Sequence, residues 1–574
     1  MKMSTGGQIL CSSLQRLGVS HIFGLPGTQN IGFFECLRQS SIRTIVPTHE
    51  LAAGFMANGY YRASGKVGVL TTIPGPGFAF TIAAIAEASH DSAALLYIVG
   101  KAVENPARKF NLQAIDQRAI LSPLVRKIVE VDHPKDLGAG VHEAFAATTA
   151  GEPGPVMLQI DDRHIAQEVA IPADFEMPLP APRAPDTAMV QEIVTSLRES
   201  KRVVLFVGQG VNGAPDELQK LADLLSAPVI ATRSARGVLS EDDPKALTFD
   251  FSESSILSMN SLFEQSDLIL AIGCKFSANG TFGFKLKLAP EKLIHVDACA
   301  EVLNANYPAR IALHSDASAF LHAVMHHAAA FQTRRSDWNP GALEACRQGG
   351  ANPVEPAVHG CDPATPAGFF DALRKAMPPN ACLVTDSGMH QVLATRHFRV
   401  HTPRGLIIPT DFQSMGFGLP AAIGAKLANP SQRVVLIIGD GGLAMSGMEI
   451  LTAVREGICL TVIVFNDGAL GQIRAQQLSS YGHSHGTELL NPDLSIFAEA
   501  IGANYFYLHG EAESTLRAAL NQKGVTLVEV GLGDSAGMRV ARAKGIARQS
   551  ARRLISPTVL GWLKSRLRAS PPSS

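Results

Sequence analysis

Short runs of valine, isoleucine and leucine, without polar residues at alternate positions, recur along the whole chain. Clear cases lie at residues 66–72, 202–208, 268–273 and 433–439. Strands that are buried on both faces have this pattern, because both rows of side chains must be apolar. Amphipathic helical patterns separate the runs, and this alternation is typical of doubly wound parallel sheets. The sequence therefore predicts an α/β protein whose domains have mainly parallel sheets.

Two proline-rich stretches divide the chain. They cover residues 178–185 and 353–366, and segments of this composition commonly join domains. A chain of 574 residues has the length of three or four domains at ~150 residues each. We therefore expect three doubly wound domains, at residues 1–175, 187–345 and 365–535.

The last segment, residues 536–574, differs in charge from the rest of the chain. Residues 535–574 contain no Asp or Glu, whereas nine Lys or Arg lie between Arg539 and Arg568. We interpret this segment as a basic C-terminal extension, either a solvated tail or a surface helix. A cover over the active site and a peripheral membrane helix are the alternatives, since Trp562 and several leucines could form an apolar face.

The composition favours a small-molecule ligand. The formal net charge is −1, so the chain has no overall attraction for nucleic acid or for an anionic membrane. The eight cysteines have no paired spacing, which argues against a disulfide framework or a zinc site and favours a reducing cytoplasm. No run of ~18 apolar residues occurs, so we expect no helix that spans a membrane.

Two acidic motifs follow neighbouring apolar runs in the third domain. Residues 439–442 read Gly-Asp-Gly-Gly, and residues 466–469 read Asn-Asp-Gly-Ala. Glycines let a backbone approach phosphates closely, and the helical pattern at 445–456 would offer free N–H groups. Carboxylates with a backbone carbonyl suit octahedral Mg2+ that bridges two phosphates. Turns alone could explain either motif, but the pair favours a diphosphate and metal site.

Further motifs accompany this pair. They are Phe-Gly-Leu-Pro-Gly-Thr at 23–28, Thr-His-Glu-Leu-Ala-Ala-Gly at 48–54, Pro-Gly-Pro-Gly at 74–77, Asp-Ser-Gly-Met-His-Gln at 386–391 and Phe-Gln-Ser-Met-Gly-Phe-Gly-Leu-Pro-Ala-Ala-Ile-Gly at 412–424. In this order they resemble the thiamine-diphosphate (ThDP) enzyme family, in the branch of acetolactate synthases, pyruvate oxidases and 2-oxo acid decarboxylases. The resemblance covers residues 5–535 and implies pyrimidine-binding, middle and diphosphate-binding domains, in that order.

The resemblance implies how the cofactor is held. It makes Asp440, Asp467 and the carbonyl of Ala469 the ligands of Mg2+, although the family commonly has asparagine at the position of Asp467. Asn466 then lies behind the ligands. Met415 is the implied wedge between the two rings of ThDP, a position that suits a long, flexible thioether. The other residues implied as cofactor contacts are Gly388, Met389, His390, Gln391, Gln413, Gly439, Gly441 and Gly442.

Glu50 is the implied acid–base residue. In the family, a glutamate at this position bonds N1′ of the aminopyrimidine and promotes its imino form, which removes a proton from the thiazolium. A lone glutamate at a helix start is otherwise most often a cap or a dipole partner. Gly27, Thr28 and Gln113 are implied on the substrate side. Because the family takes this glutamate and the diphosphate site from different subunits, a homodimer is the implied minimum unit and a homotetramer the expected assembly.

The residues after Asp467 bear on the reaction. Pyruvate-type decarboxylases carry a glutamate six positions after the second metal ligand, where this chain has Ile473, next to Gln472. Without that acid, the decarboxylated intermediate is expected to meet a second carbonyl. We therefore expect a transferase that decarboxylates a 2-oxo acid and then carries out carboligation with a carbonyl acceptor. Asn279 stands near the position where acetolactate synthases carry an arginine for the acceptor, and it indicates a changed acceptor pocket.

Other functions stay open at this point. A 2-oxo acid decarboxylase, or a lyase acting on a 2-hydroxyacyl compound or 2-hydroxyketone, uses the same cofactor chemistry. A nicotinamide oxidoreductase is suggested by the glycines at 207–211, but the next apolar run, 228–233, lacks the acid that binds ribose. The same incomplete glycine pattern is weak evidence for FAD, and we expect ThDP and Mg2+ without it. A non-catalytic relative is disfavoured, because Glu50, Asp440 and Asp467 are all present.

Overall fold

A computed structural model describes residues 2–102, 107–171, 179–248, 253–348, 355–535 and 538. Within this part of the chain there are three α/β units, each built on one parallel sheet. Each helix in these ranges is too short or too polar to cross a membrane. The eight cysteines all lie in these ranges and are free thiols. The basic extension expected at 536–574 lies outside the described residues, apart from Met538.

The first unit lies at the start of the chain. Its strands are β1 (Lys2–Thr5), β2 (His21–Gly24), β3 (Arg43–Ile45), β4 (Gly68–Thr72), β5 (Leu95–Gly100), β6 (Lys127–Val131), β7 (Pro155–Ile160) and β8 (Glu168–Ile171). Its helices are α1 (Gly6–Arg16), α2 (Ile31–Arg38), α3 (Glu50–Ser64), α4 (Pro76–His90), α5 (Gln117–Leu121), α6 (Leu137–Ala147) and α7 (Arg163–Ala166), with a 3-10 helix at Pro134–Asp136. The sheet order is β3-β2-β4-β5-β7-β6 with parallel pairs throughout, and β1 and β8 form an antiparallel ribbon.

The middle unit repeats this architecture. Its strands are β9 (Val203–Val207), β10 (Val229–Ala231), β11 (Ala246–Leu247), β12 (Leu268–Ile272), β13 (Leu293–Asp297) and β14 (Ile311–His314). Its helices are α8 (Thr187–Glu199), α9 (Pro215–Leu225), α10 (Glu253–Gln265), α11 (Ala317–Met325) and α12 (Pro340–Gln348), with 3-10 helices at Gln209–Gly213, Arg233–Ala235, Pro290–Lys292 and Ala328–Phe331. The strand order is β11-β10-β9-β12-β13-β14, and neighbouring strands are parallel.

The third unit has the largest sheet. Its strands are β15 (Ala357–Val358), β16 (Cys382–Thr385), β17 (Leu406–Ile407), β18 (Val434–Gly439), β19 (Leu460–Asn466), β20 (Asn504–Tyr507) and β21 (Val525–Gly533). Its helices are α13 (Pro366–Ala376), α14 (Met389–His397), α15 (Gly418–Ala428), α16 (Asp440–Ser446), α17 (Glu449–Arg455), α18 (Gly471–Tyr481), α19 (Leu494–Ala500) and α20 (Ala512–Leu520). The order is β15-β21-β19-β18-β16-β17 with β20 on β21, and all pairs except β15 with β21 are parallel.

The four apolar runs lie in the sheets. They contain β4, β9, β12 and β18, and every residue of the first three of these strands is buried. In the first unit, separate apolar clusters pack against the two faces of the sheet, which is why its strands lack polar alternation. The predicted α/β fold, with three doubly wound and mainly parallel sheets, is confirmed.

Two segments differ from the sequence pattern. The helical pattern at 445–456 is part of two helices, α16 and α17, and the first already begins at Asp440. The break falls at Gly447, where glycine weakens a helix. The described part of the proline-rich stretch 353–366, from residue 355 on, is more ordered than a linker, because β15 lies in it and pairs with β21. Its last proline, Pro366, takes the first position of α13, where the missing N–H costs nothing.

Helices α3 and α15 join the first and third units at very short range. A Cβ on Gly59 would lie 2.0 Å from the carbonyl oxygen of Ala421, and one on Gly424 would lie 1.9 Å from that of Met56. Only glycine lets the two backbones approach this closely. Apolar side chains surround the crossing, and one hydrophobic core runs from the first unit into the third.

Gly424→Ala should lower the unfolding temperature, because the added methyl group collides with a helix backbone. Overpacking of this kind costs about 1–3 kcal/mol in the free energy of unfolding. Thermal unfolding followed by circular dichroism measures the shift. Gly341→Ala is the matched control, because Gly341 lies in the exposed first turn of α12 and a Cβ there would meet only Asn339 Oδ1, at 3.2 Å. Equal unfolding temperatures for the two variants would contradict this account of the crossing.

Candidate active site

The strands β18 and β19 end side by side at the carboxyl edge of the third sheet. Gly439 is in register with Phe465, so Asp440 and Asn466 leave the sheet next to each other. The side-chain amide of Asn491 donates to Asp440 Oδ2 at 2.7 Å and to Asn466 Oδ1 at 2.9 Å. The structure thus brings the two acidic motifs together, at the edge where open parallel sheets bind ligands.

Asp467 lies beside this point and is mostly buried. Its pKa is raised to about 6, first by burial and then by the negative charge of Asp440, because the two carboxylates share a confined space. Arg474 offsets part of this charge, with its Nη2 3.3 Å from Asp467 Oδ2. The carbonyl of Ala469 accepts a hydrogen bond from Gly471 N at 2.9 Å and keeps a second lone pair for another partner.

Of the glycines at this edge, Gly442 has no room for a side chain, and Gly439 and Gly441 have little. A Cβ on Gly442 would lie 2.0 Å from Asp386 Oδ2, one on Gly441 would lie 3.4 Å from Met415 Cε, and one on Gly439 would lie 3.2 Å from the His390 ring. Because these glycines have no side chains, the backbone between His390 and Met415 is accessible to a ligand. Gly388, which precedes α14, has a φ of +149° and also abuts the His390 ring.

The imidazole of His390 is buried against this backbone. Burial lowers the pKa of His390 to about 4, so the ring is neutral at neutral pH. Its Nε2 has no hydrogen-bond partner among the described residues. A buried ring nitrogen without a hydrogen-bond partner lowers the stability of the folded protein. The position of this nitrogen beside the glycines suits a polar group bound there.

Asp386 organises this half of the site, although it begins a motif without being among the implied cofactor contacts. It is fully buried, and burial raises its pKa to about 6. Its oxygens accept from Gly416 N and from Ser387 N, both at 2.9 Å. Asp386 thereby holds the loop that carries Gln413, with a φ of +59°, and Met415. Its sequence signal was its position directly after a buried strand.

The carboxylate of Glu50 lies at the other half of the site, in the first unit. Glu50 is the first residue of α3, and His49 caps the helix by accepting from Leu51 N at 3.1 Å. A Cβ on Gly77 would lie 3.4 Å from Glu50 Oε1, so the carboxylate lies against the Pro-Gly-Pro-Gly turn that starts α4. The structure therefore brings the motifs at 48–54 and 74–77 together.

Gln113 also reaches this half of the site. The Oε1 atom of Gln113 accepts from Gln29 Nε2. A Cβ on Gly75 would lie 2.7 Å from the Cβ of Gln113. The loop at 25–30 is held by Asn30, whose Oδ1 accepts from Gly27 N at 2.7 Å. Gly27 and Gln113 are thus linked through this loop, and Thr28 is an exposed residue of it.

Other residues that the sequence singled out have structural partners or exposed positions. Gln391 is buried and donates to the carbonyl of Pro409 at 2.6 Å. Asn279 donates to the carbonyl of Thr410, so its amide joins the middle unit to the third. Ile473 is 45% exposed on α18, a helix without a buried residue, and Gln472 is half-buried beside it. Met389 lines a small cleft together with Asp467 and Arg474.

A larger cavity of about 640 Å3 lies between the three units. Its wall includes the glycine loop at 208–210, Lys275 and Asp297, and Asn279 also lines it. The cavity does not include Glu50, Asp440 or Asp467. The residues expected to carry the chemistry therefore lie elsewhere, at the sheet edge and at the start of α3.

Family models of thiamine pyrophosphate enzymes match the chain in three places. The N-terminal TPP binding domain matches residues 4–120, the central domain matches 190–324, and the C-terminal TPP binding domain matches 386–530. The two TPP binding domains contain the two halves of the site described above.

Curated relatives match over nearly their full length. The acetolactate synthase isozyme 1 large subunit of Escherichia coli strain K12 is 29% identical over 537 residues, covering 92% of this chain and 94% of that protein. A probable 2-ketoarginine decarboxylase of Pseudomonas aeruginosa is 31% identical over 540 residues, with the same two coverages. A probable acetolactate synthase large subunit of Methanocaldococcus jannaschii is 28% identical, covering 87% of this chain and 86% of that protein. From these matches and from the architecture of its two half-sites, the chain belongs to the thiamine pyrophosphate enzyme family.

Proposed function

We propose that the protein binds ThDP and Mg2+, decarboxylates a 2-oxo acid and joins the remaining acyl unit to a carbonyl acceptor. The observation that best supports this proposal is that two groups of residues fit the two halves of such a site. One half presents Glu50 beside the glycine turn at 74–77, and the other presents Asp440 and Asp467 beside a bare glycine backbone. The relatives named acetolactate synthase support the carboligation step.

The edge of the third sheet fits a diphosphate with a divalent cation. Asp440, Asp467 and the carbonyl of Ala469 offer the hard oxygen ligands that Mg2+ prefers. The described residues contain no group of three or more His, Cys, Asp or Glu that could hold a metal by itself. The remaining ligands would therefore be phosphate oxygens and water. The unpartnered Nε2 of His390 and the glycine backbone at 439–442 suit the phosphates.

When bound, ThDP supplies an electron sink for the bond that breaks beside the carbonyl carbon. The residues of the chain would place the reactants and move protons. Glu50 would hold a proton at the aminopyrimidine of ThDP, and Met415 would support the rings of the cofactor. Gln113, oriented by Gln29, would face the substrate. Ile473 provides no acid that would protonate the product of decarboxylation early, and this favours transfer to an acceptor.

Each complete site would need two subunits. Phe80 is 52% exposed next to His49, and Met445 and Met448 are 62% and 53% exposed beside the third-unit edge. Apolar surface of this kind marks an interface, and it borders both half-sites. We propose that a homodimer pairs Glu50 of one subunit with the Asp440 edge of its partner, and that two dimers form a homotetramer.

A decarboxylase is the second candidate, because the relative named 2-ketoarginine decarboxylase is 31% identical over 92% of this chain. A lyase that runs the carboligation in reverse is a third. Purified protein with ThDP and Mg2+ should be given 2-oxo acids with different side chains, with and without aldehyde or ketone acceptors, while CO2 release and products are measured. Joined products support the proposal. Aldehyde alone would support the decarboxylase, and cleavage of 2-hydroxyketones without joined products would support the lyase.

Ile473→Glu should shift the products from joined compounds towards free aldehyde, because the new carboxyl group can protonate the decarboxylated intermediate. General acid–base groups change rates by roughly 100-fold or more, so the product ratio should change visibly. Mass spectrometry of the products measures it. Ile496→Glu is the matched control, since Ile496 is 65% exposed on α19. An unchanged product ratio for Ile473→Glu would remove the argument for carboligation from this position.

Glu50→Gln should lower turnover by roughly 100-fold or more, because the amide cannot exchange the proton. The affinity for ThDP, measured by calorimetric titration, should change little, since the diphosphate and the metal are held by the third unit. Glu143→Gln is the control, because Glu143 is an exposed residue of α6 with a surface ion pair to Lys127. If Glu50→Gln turned over at the normal rate, the acid–base role would be wrong.

Asp440→Ala should weaken Mg2+-dependent binding of ThDP by roughly 100-fold, the effect expected for losing an important group of a metal site. Calorimetric titration of ThDP at several Mg2+ concentrations measures it. Asp371→Ala is a suitable control, because Asp371 is exposed on α13 and pairs only with Lys375 among the ion pairs described. Normal affinity in Asp440→Ala would place the metal elsewhere.

A further inference from the structure

The carboxylate of Glu449, the first residue of α17, holds the two residues that precede Glu50. Its side chain is buried, and its Oε1 accepts from Thr48 N at 3.0 Å, from His49 N at 3.2 Å and from the Thr48 hydroxyl. Its Oε2 accepts from the Thr452 hydroxyl at 2.8 Å. Both oxygens of the buried carboxylate are therefore satisfied, as a charge away from water requires.

The other end of α17 holds the same segment further upstream. Arg455 donates to the carbonyl of Val46, and Glu456 pairs with Arg43 at 2.8 Å. The segment 43–49, which consists of β3 and the residues that lead to α3, is thus held at both ends by α17 and the residue that follows it. That helix follows α16, which begins with Asp440.

The bonds of Glu449 leave little freedom for the start of α3. His49 donates its backbone N–H to Glu449, and its ring Nδ1 accepts from Leu51 N at 3.1 Å. Glu50 lies between these two bonds, so a displacement of residues 48 and 49 would carry its carboxylate away from Gly77. The backbone, and not a flexible side chain, would move.

We infer that Glu449 is a positioning residue for Glu50, an inference that rests on the acid–base role proposed above. Glu449 acts through the backbone of residues 48 and 49 and has no contact with the substrate. An error of about 1 Å in the position of a reacting group can cost roughly 100-fold in rate. Loss of Glu449 should therefore lower turnover while it leaves the diphosphate half of the site intact.

Three substitutions separate the contributions of this side chain. Glu449→Gln keeps an oxygen for the donors of Thr48 and His49, and its amide can donate to the Thr452 hydroxyl. Glu449→Met keeps the volume but removes the acceptor of the backbone N–H groups of Thr48 and His49. Thr48→Val removes only one hydroxyl donor and serves as the milder test if Glu449→Met fails to fold. Glu499→Met is the control, because Glu499 is exposed on α19.

We expect kcat of Glu449→Met to fall roughly 10- to 100-fold, with Glu449→Gln close to the unmodified protein. The affinity for ThDP should change by less than about threefold, because the cradle is a separate site. Hydrogen–deuterium exchange of the protein without cofactor should be faster at residues 43–52 in Glu449→Met and unchanged in Glu499→Met. In the background of Glu50→Gln, adding Glu449→Met should lower kcat little further, since Glu449 acts through Glu50.

Normal kcat together with normal exchange at residues 43–52 in Glu449→Met would overturn the inference. A loss of kcat that multiplies with that of Glu50→Gln would also overturn it, because Glu449 would then act independently. If the proposed acid–base role of Glu50 itself were wrong, the result would differ from both of these, because Glu50→Gln would then be fully active. The exchange measurement would still report in that case whether Glu449 holds residues 48 and 49.

Discussion

The backbone contact between α3 and α15 fixes how the first and third units of one chain lie against each other, and the placement of both half-sites depends on it. Glu50 begins α3, and the loop with Met415 leads directly into α15. Gly59 and Gly424 allow the two helices to touch, and any side chain at either point would push them apart. Because packed interiors transmit such strain instead of absorbing it, the positions of the loops at both helix starts follow from this one contact.

Buried carboxylates then join the units around the crossing. Glu87 on α4 accepts from Ser414 N at 2.8 Å, next to Met415, and Asp91 accepts from Thr410 N at 3.1 Å. Burial and the charge of Asp91 raise the pKa of Glu87 to about 8. Arg62, which forms an ion pair with Asp91 at 2.9 Å within the first unit, also donates to the carbonyl of Ile408 in the third unit at 2.6 Å. The first and third units therefore resist separation through polar as well as apolar contacts.

The sequence predicted features that depend on local pattern and on parallel topology. Apolar runs marked the strands, and strands that end at one sheet edge brought Asp440 and Asn466 together. Asn491 and Glu449 could not be predicted in this way, because they reach their partners from 51 and about 400 positions away. Motif position also does not fix a side chain's partner. Gln391 and Asn279 donate to backbone carbonyls, which only the packing of neighbouring loops determines.

The negative charge of Asp467 is balanced by a residue of the helix that follows it. Asp467 adds a negative charge next to Asp440, and its raised pKa reflects burial and that repulsion. Arg474, on the next helix, lies 3.3 Å away and supplies a positive charge. A single exchange at either position would leave an uncompensated charge in a partly buried space. Residues 467 and 474 therefore form one electrostatic unit, and the effect of a change at one depends on the residue at the other.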